Sequence, residues 1–229
     1  LEEVTMRCSF PFLLLVLVSV PSQMSCTAPE NERIRTGATR TISSQHPRLL
    51  GSKDDLRRLA QTRPEAYAKV VEAARTMDPG DPSVMDDHMK MVSMALVSAI
   101  DEDSELGKLA VKRAMAYINK PIRIGHENFG HDLARCAIVY DLCWPYWSGE
   151  ERAAFHDYMN RTVDANVNSE VHVFHNAWYG YKHWGIGLAC YATWYENPRA
   201  EEILAETERD YIQRAAPALA LAVGGGGFA

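Results

Sequence analysis

Cysteine is scarce in this chain: five occur in 229 residues, none in a Cys-x-x-Cys pair and none at a histidine spacing that makes a zinc site. A disulfide-stapled scaffold and a zinc module therefore both lack support. An excess of positive charge is missing as well, since 24 Lys and Arg stand against 30 Asp and Glu for a formal net charge of −6. Such a chain has no general attraction for nucleic acid or for an anionic membrane surface, so an anionic ligand has to be held by a local site. No apolar stretch approaches the ~20 residues that carry a helix across a bilayer. Sustained alternation of apolar and polar residues is also lacking, which argues against β-sheet.

What is present is a balance of 47% hydrophobic and 24% charged residues, ordinary for a globular domain with a proper core. Near the N-terminus, Arg7 follows Met6 and leads into the apolar run 10–20 with small residues beyond it, the pattern of an export signal. Residues 1–5 precede Met6 and read as lying upstream of the true start. Cys26 stands where a lipoprotein signal is cut and is a candidate lipid anchor, although Gln23 replaces the aliphatic residue usual three positions earlier. Residues 1–26 are thus expected to be a leader, 27–45 a polar linker and 46–229 a helical domain, periplasmic or secreted. At the other end the glycines at 224–227 stop a long helix with only Phe228 and Ala229 after them, so the domain is expected to continue past Ala229. Cys136 and Cys143 sit two helical turns apart, ~10.5 Å, too far for a disulfide, and are expected to be buried thiols.

Between the ends, apolar spacing predicts helices in a repeating order. Ser52 with Asp55 three residues on resembles a capping box, and Pro64 suits the first position of the next helix. Residues 84–100, 133–144 and 186–195 are apolar around most of their circumference and need burial on several sides. Residues 104–118, 150–167 and 200–223 are amphipathic; in the first, Leu106, Leu109, Ala110 and Ala114 oppose Lys108, Lys112 and Arg113, and the second is capped by Ser148 with Glu151. The expected class is all-α, an incomplete (α/α) toroid of helical hairpins with buried helices inside and amphipathic helices outside. The two loops richest in functional side chains, 124–131 and 174–183, each precede a buried helix and so are expected at one end.

The second of these loops organises the functional reading. It carries His175, Asn176, Trp178, Tyr179, Tyr181, Lys182 and His183 and is followed by Trp184, polar groups and large rings leading into a buried helix. Flat rings with hydrogen-bonding tips suit the faces and hydroxyls of sugars. The first loop adds His126, Asn128 and His131, whose histidines, five apart, do not have metal-ligand spacing. For a sugar acid the chemistry is demanding: abstracting the proton at C5 of a uronate beside its own carboxylate creates a dianionic enolate. A preorganised amide or histidine must neutralise that carboxylate, a base must reach C5, and an acid must protonate the departing O4. An Asn beside a His is a partial kit for this.

Three motifs in order resemble the heparinase II/III-like polysaccharide lyases: His46-Pro47-Arg48-Leu49-Leu50 with Gly51 to Leu56; Ile138-Val139-Tyr140-Asp141-Leu142 followed by Ser148-Gly149-Glu150-Glu151-Arg152; and His175-Asn176 with the small-residue helix and glycine run after it. The resemblance covers about residues 46–229. It implies an N-terminal α/α toroid followed by β-sandwich layers and β-elimination on a uronate-containing acidic polysaccharide. It also implies that Asn176 and His175 occupy the carboxylate-neutralising and general-base positions. From their residue types and place at the two loops, His126, Asn128, Trp178, Tyr179, Tyr181, His183 and Trp184 are expected to line the substrate cleft. A catalytic tyrosine and a further histidine are then expected beyond Ala229, leaving the 229 residues inactive alone. No cofactor is implied for the residues present; a structural metal belongs, if anywhere, to the missing β-domain. Three alternatives stay open: a uronate epimerase sharing the first proton abstraction, an α/α-barrel glycoside hydrolase drawing on Glu127, Asp132 or Asp141, and a non-catalytic carbohydrate-binding helical module.

Overall fold

The computed structural model describes residues 42–75, 85–124, 128–166 and 176–224, with side chains for all of these but 85–88, 128, 176–182, 219 and 222–224. Among them there are helices and no strand, in the order α1 Lys53–Thr62, α2 Pro64–Arg75, α3 Met85–Asp101, α4 Ser104–Ile118, α5 Asn128–Leu142, α6 Gly149–Asn166, α7 Asn176–Ala192, α8 Ala200–Asp210 and α9 Ala216–Gly224. A short 3-10 turn, Trp144–Tyr146, comes after α5, and a π-helical turn, Tyr211–Ala215, joins α8 to α9. The all-α expectation holds for the described residues.

Local chemistry starts these helices where the sequence places the signals. The Ser52 hydroxyl accepts from the Asp55 N–H at 3.2 Å while the Asp55 carboxylate accepts from the Ser52 N–H at 3.1 Å, so α1 opens with the reciprocal box. Ser148 and Glu151 repeat it at α6, at 3.2 and 2.8 Å. Pro64 opens α2, where its missing N–H has no helical partner to lose. Asp103 caps α4 by accepting from the Leu106 N–H at 3.1 Å.

Burial matches the expected alternation for α3 and α5, whereas 186–195 is buried mainly through Ile186, Ala189, Cys190 and Ala192 and leaves Tyr195 exposed. Helices α3 and α5 are buried nearly all round, through Met91, Met94, Ala95 and Val97 in one and Phe129, Leu133, Val139 and Tyr140 in the other. Helices α4, α6 and α8 bury single faces, exemplified by Ala110, Val111 and Ala114; Phe155, Met159 and Thr162; and Ile203, Leu204 and Thr207. Two details of α4 correct the expectation: Leu109 is 38% exposed, whereas Arg113, assigned to the polar face, is only 8% exposed. The buried stripe is centred nearer Gly107, Ala110 and Ala114, because Gly107 backs onto the Tyr146 ring.

Helices α5 and α7 pack side by side and run in the same direction. Gly185, midway along α7, meets Gly130, near the start of α5, so closely that a Cβ on Gly185 would lie 2.2 Å from the Gly130 carbonyl oxygen. At their far ends His46 bridges Asp141 of α5 and Glu196 just past α7, at 2.6 and 3.3 Å. The two intervals contain the same number of residues, as parallel helices in register require. Late in α3, Ser98 shares the surroundings of Gly107 with Tyr146, which lies just past α5, so α3 and α5 also end together. The amphipathic α4 and α8 pack back against α3 and α7.

The boundaries of two central helices differ from expectation. Helix α5 begins at Asn128 rather than 133, and α7 at Asn176 rather than 186, so much of each segment read as a loop is the opening of a helix. Polar and aromatic residues masked the helical period there, and Gly180 and Gly185 imitate turn signals. Gly185 is instead a contact residue. Cys136, Cys143 and Cys190 are buried and unpaired with one another, as expected of free thiols.

Candidate functional site

The parallel α5–α7 pair has two chemically rich ends. At the C-terminal end the segment after residue 45 folds back onto α5. The wholly buried Asp141 carboxylate accepts from the backbone N–H groups of Arg48, at 2.9 Å to each oxygen, and Leu49, at 2.8 Å, and from His46 Nδ1 at 2.6 Å. Arg48 Nη2 donates to Glu196 Oε1 at 3.0 Å and approaches His46 Nε2 at 2.6 Å, while the Trp144 ring stacks on the imidazole with centroids 5.3 Å apart. Burial opposes a charge on His46, but the hydrogen bonds to Asp141 and Glu196 outweigh it and hold its pKa above the ordinary 6.5. This end is a clasp: the first and second resemblance motifs are bound to each other.

Toward the N-terminal end of α5, Trp184 from the middle of α7 meets His131 edge-on, with centroids 6.2 Å apart. Burial, reinforced by Arg135, pushes the His131 pKa down to about 4, so the ring is neutral at physiological pH. The next residue, Asp132, is buried beside Arg123, whose Nε lies 3.3 Å from Oδ2; burial outweighs the cations and raises its pKa. Across α7 from this pair, His183 is 11% exposed and its Nε2 lies 3.2 Å from Asp210 Oδ2 at the end of α8. The Tyr211 ring closes over it edge-on at 5.3 Å.

Of the residues singled out by sequence, His183 and Trp184 are described in full. Asn128 and Asn176 are the first residues of α5 and α7, and the α7 backbone carries Trp178, Tyr179 and Tyr181 in its opening turns. The side chains of these five lie outside the described residues, as do His126, His175 and Glu127 altogether. The parallel register of α5 and α7 brings His131 and Trp184 together. Asp210 and Tyr211 carry no signal in the sequence: they end an ordinary amphipathic stretch, and only the π-turn reveals their place. Of the hydrolase carboxylates, Asp132 and Asp141 stand nine residues apart on α5, ~13.5 Å along it. That exceeds the ~6.5–9.5 Å of an inverting pair, and Asp141 is held inside the clasp.

Among the described residues no three His, Cys, Asp or Glu side chains gather as a metal site. No helix among them is long and apolar enough to cross a membrane. Compared with family models, curated proteins and solved structures, the chain matches none.

Proposed function

We propose that this chain is the helical part of an exported polysaccharide lyase that cleaves a uronate-containing acidic polysaccharide by β-elimination. In this reading α3, α5 and α7 are inner helices of an (α/α) toroid and α4, α6 and α8 its outer layer. The observation that carries the reading is the parallel packing of α5 and α7, with Gly185 and Trp184 from the middle of α7 against Gly130 and His131 near the start of α5. That packing supports a cleft with both segments rich in histidine, amide and aromatic residues at one end of the pair, the opening of α7 reaching about 10 Å further than that of α5.

In the proposed reaction Asn176, the first residue of α7, neutralises the uronate carboxylate. The positive end of the helix dipole favours the charge that develops there. His175 removes the proton from C5, and the C4–O4 bond breaks as the electron pair forms the C4–C5 double bond. The leaving O4 takes a proton from an acid. Trp178, Tyr179, Tyr181 and Trp184 hold the sugar faces, with His126, Asn128 and His183 at its polar edge. The chain is a periplasmic or secreted protein in this reading, with Cys26 as its candidate lipid anchor.

The test is absorbance of the unsaturated uronate on a panel of heparin, heparan, chondroitin, dermatan and alginate. It uses the full-length gene product, the 229-residue chain and an Asn176→Ala variant. A rise with the full-length protein that Asn176→Ala lowers by about a hundredfold or more, the range for losing one preorganised donor, supports the reading. No rise on any polymer, or a rise indifferent to Asn176→Ala, overturns it.

A further inference from the structure

Inside the clasp, one nitrogen of His46 faces two partners that suit opposite charges. Both ring nitrogens meet carboxylates: Nδ1 lies 2.6 Å from Asp141 Oδ1 and Nε2 lies 3.3 Å from Glu196 Oε1. An imidazolium, with a proton on each nitrogen, suits that arrangement. Yet Arg48 Nη2, which can only donate, stands 2.6 Å from the same Nε2. That contact is a hydrogen bond when the ring is neutral with its proton on Nδ1, and a meeting of two donors when the ring is protonated.

The surroundings supply a way to exchange the partners. The Arg48 side chain is 1% exposed, and its Nε and Nη1 are buried without a hydrogen-bond partner, as is the second oxygen of Glu196, Oε2. Buried polar atoms left unpaired cost free energy, so a rearrangement that pairs them is favoured. Arg48 Nη2 already donates to Glu196 Oε1 at 3.0 Å. A small shift brings a second guanidinium nitrogen to Oε2 and makes the pair bidentate.

The other groups around the ring hold their charge while it titrates. From α5, Tyr140 meets it edge-on at 5.7 Å, and Trp144 stacks on it at 5.3 Å. From α6, Arg152 lies over the Trp144 ring, and His156 Nε2 is 3.1 Å from the Tyr140 hydroxyl. Burial lowers the pKa of His156 and raises that of Tyr140, so neither changes charge in step with His46, which titrates above 6.5.

We propose that His46, Arg48 and Glu196 form a proton-operated switch. With the ring neutral, Nε2 accepts from Arg48 Nη2; with the ring protonated, Nε2 donates to Glu196 Oε1 and Arg48 moves across to Oε2. The proton comes from solvent past Glu196, whose side chain is 23% exposed, and no other covalent bond forms or breaks. The backbone N–H groups of Arg48 and Leu49 stay on Asp141 in both states, so the arm remains attached. What moves is a guanidinium that lies over the Tyr195 ring, 5.4 Å from its centroid, and Tyr195 in turn donates to the Ile42 carbonyl at 2.8 Å. The switch thus resets the footing of the chain just before the clasp. It is independent of the lyase reading.

Nitrogen-15 NMR of the natural protein from about pH 5 to 9, with the His46 signal identified by its loss in His46→Gln, gives the ring's midpoint and its neutral tautomer. The Nδ1–H form is expected, and a neutral ring protonated on Nε2 overturns the proposal. Crystals equilibrated well below and well above that midpoint then locate Arg48. Above it, Nη2 is expected within about 3 Å of Nε2; below it, beyond about 3.5 Å, with Arg48 donating to both oxygens of Glu196. An Arg48 side chain in the same place at both pH values overturns the proposal. Glu196→Gln is expected to lower the His46 midpoint and Arg48→Gln to raise it, and a midpoint indifferent to both overturns it as well. Should either variant fail to fold, the two structures of the natural protein decide.

Discussion

Substituting alanine for Gly185 and for Gly187, both on α7, should move stability in opposite directions. Glycine in a helix interior costs about 0.5–1 kcal/mol relative to alanine. At Gly187 an added Cβ meets nothing within 4 Å, so Gly187→Ala should stabilise the protein by about that amount. At Gly185 the same methyl would lie 2.2 Å from the Gly130 oxygen, 2.6 Å from its Cα and 2.7 Å from its carbonyl carbon. These are backbone atoms of a neighbouring helix, with no flexible side chain to swing aside. Relief requires α5 and α7 to separate by roughly 1 Å along a line where Ile186, Ala189, Cys190 and Leu133 are buried, a gap that already forfeits much of the dispersion contact. Overpacking of this kind costs about 1–3 kcal/mol or more, so the net loss after the propensity gain is about 2 kcal/mol. Urea unfolding monitored by tryptophan fluorescence reads it: with a slope of about 2 kcal/mol/M, the Gly185→Ala midpoint falls by about 1 M and the Gly187→Ala midpoint rises slightly. Equal midpoints for the two variants would refute the parallel close approach of α5 and α7.

Further predictions concern the clasp and the buried rings. Asp141→Ala leaves the Arg48 and Leu49 N–H groups and His46 without their acceptor and should cost about 3 kcal/mol or more, with Asp141→Asn in between, checked by thermal melting. His131, whose pKa burial lowers to about 4, binds its proton more readily unfolded. Its contribution is therefore complete above about pH 6.5 and lost as pH falls toward 4; urea midpoints measured across that range should fall, and less so in His131→Gln. His46 has the opposite sign: with its pKa raised above 6.5, its contribution is present below that value and fades as pH rises through the folded pKa. His46→Gln should remove that decline on the neutral to alkaline side.

Much of the scaffold was legible because it depends on local signals. Ser52 with Asp55, Pro64, and Ser148 with Glu151 announce helix starts by chemistry confined to one turn. The alternation of all-round and one-sided apolar helices identified α3 and α5 as buried members. The openings of α5 and α7 were not legible, because functional side chains displace the apolar period there. Nor were the partners that come from distant segments. Nothing near Asp210 announces that it meets His183, and nothing near Gly185 announces that Gly130 is its neighbour. Both depend on the register between helices, which no single segment carries.

The clasp joins residues that lie 95 and 150 positions apart, His46 with Asp141 and with Glu196. Closing loops of that length costs chain entropy with little local reward, so such contacts form after the helices between them have docked. The arm before α1 is therefore secured last. A chain in which α7 had slipped by one turn against α5 would carry Glu196 about 5.4 Å away from the imidazole, and His46 could satisfy one carboxylate but not both. The N-terminal arm thus acts as a gauge of assembly, closing fully only on a molecule whose central helices have found their common register.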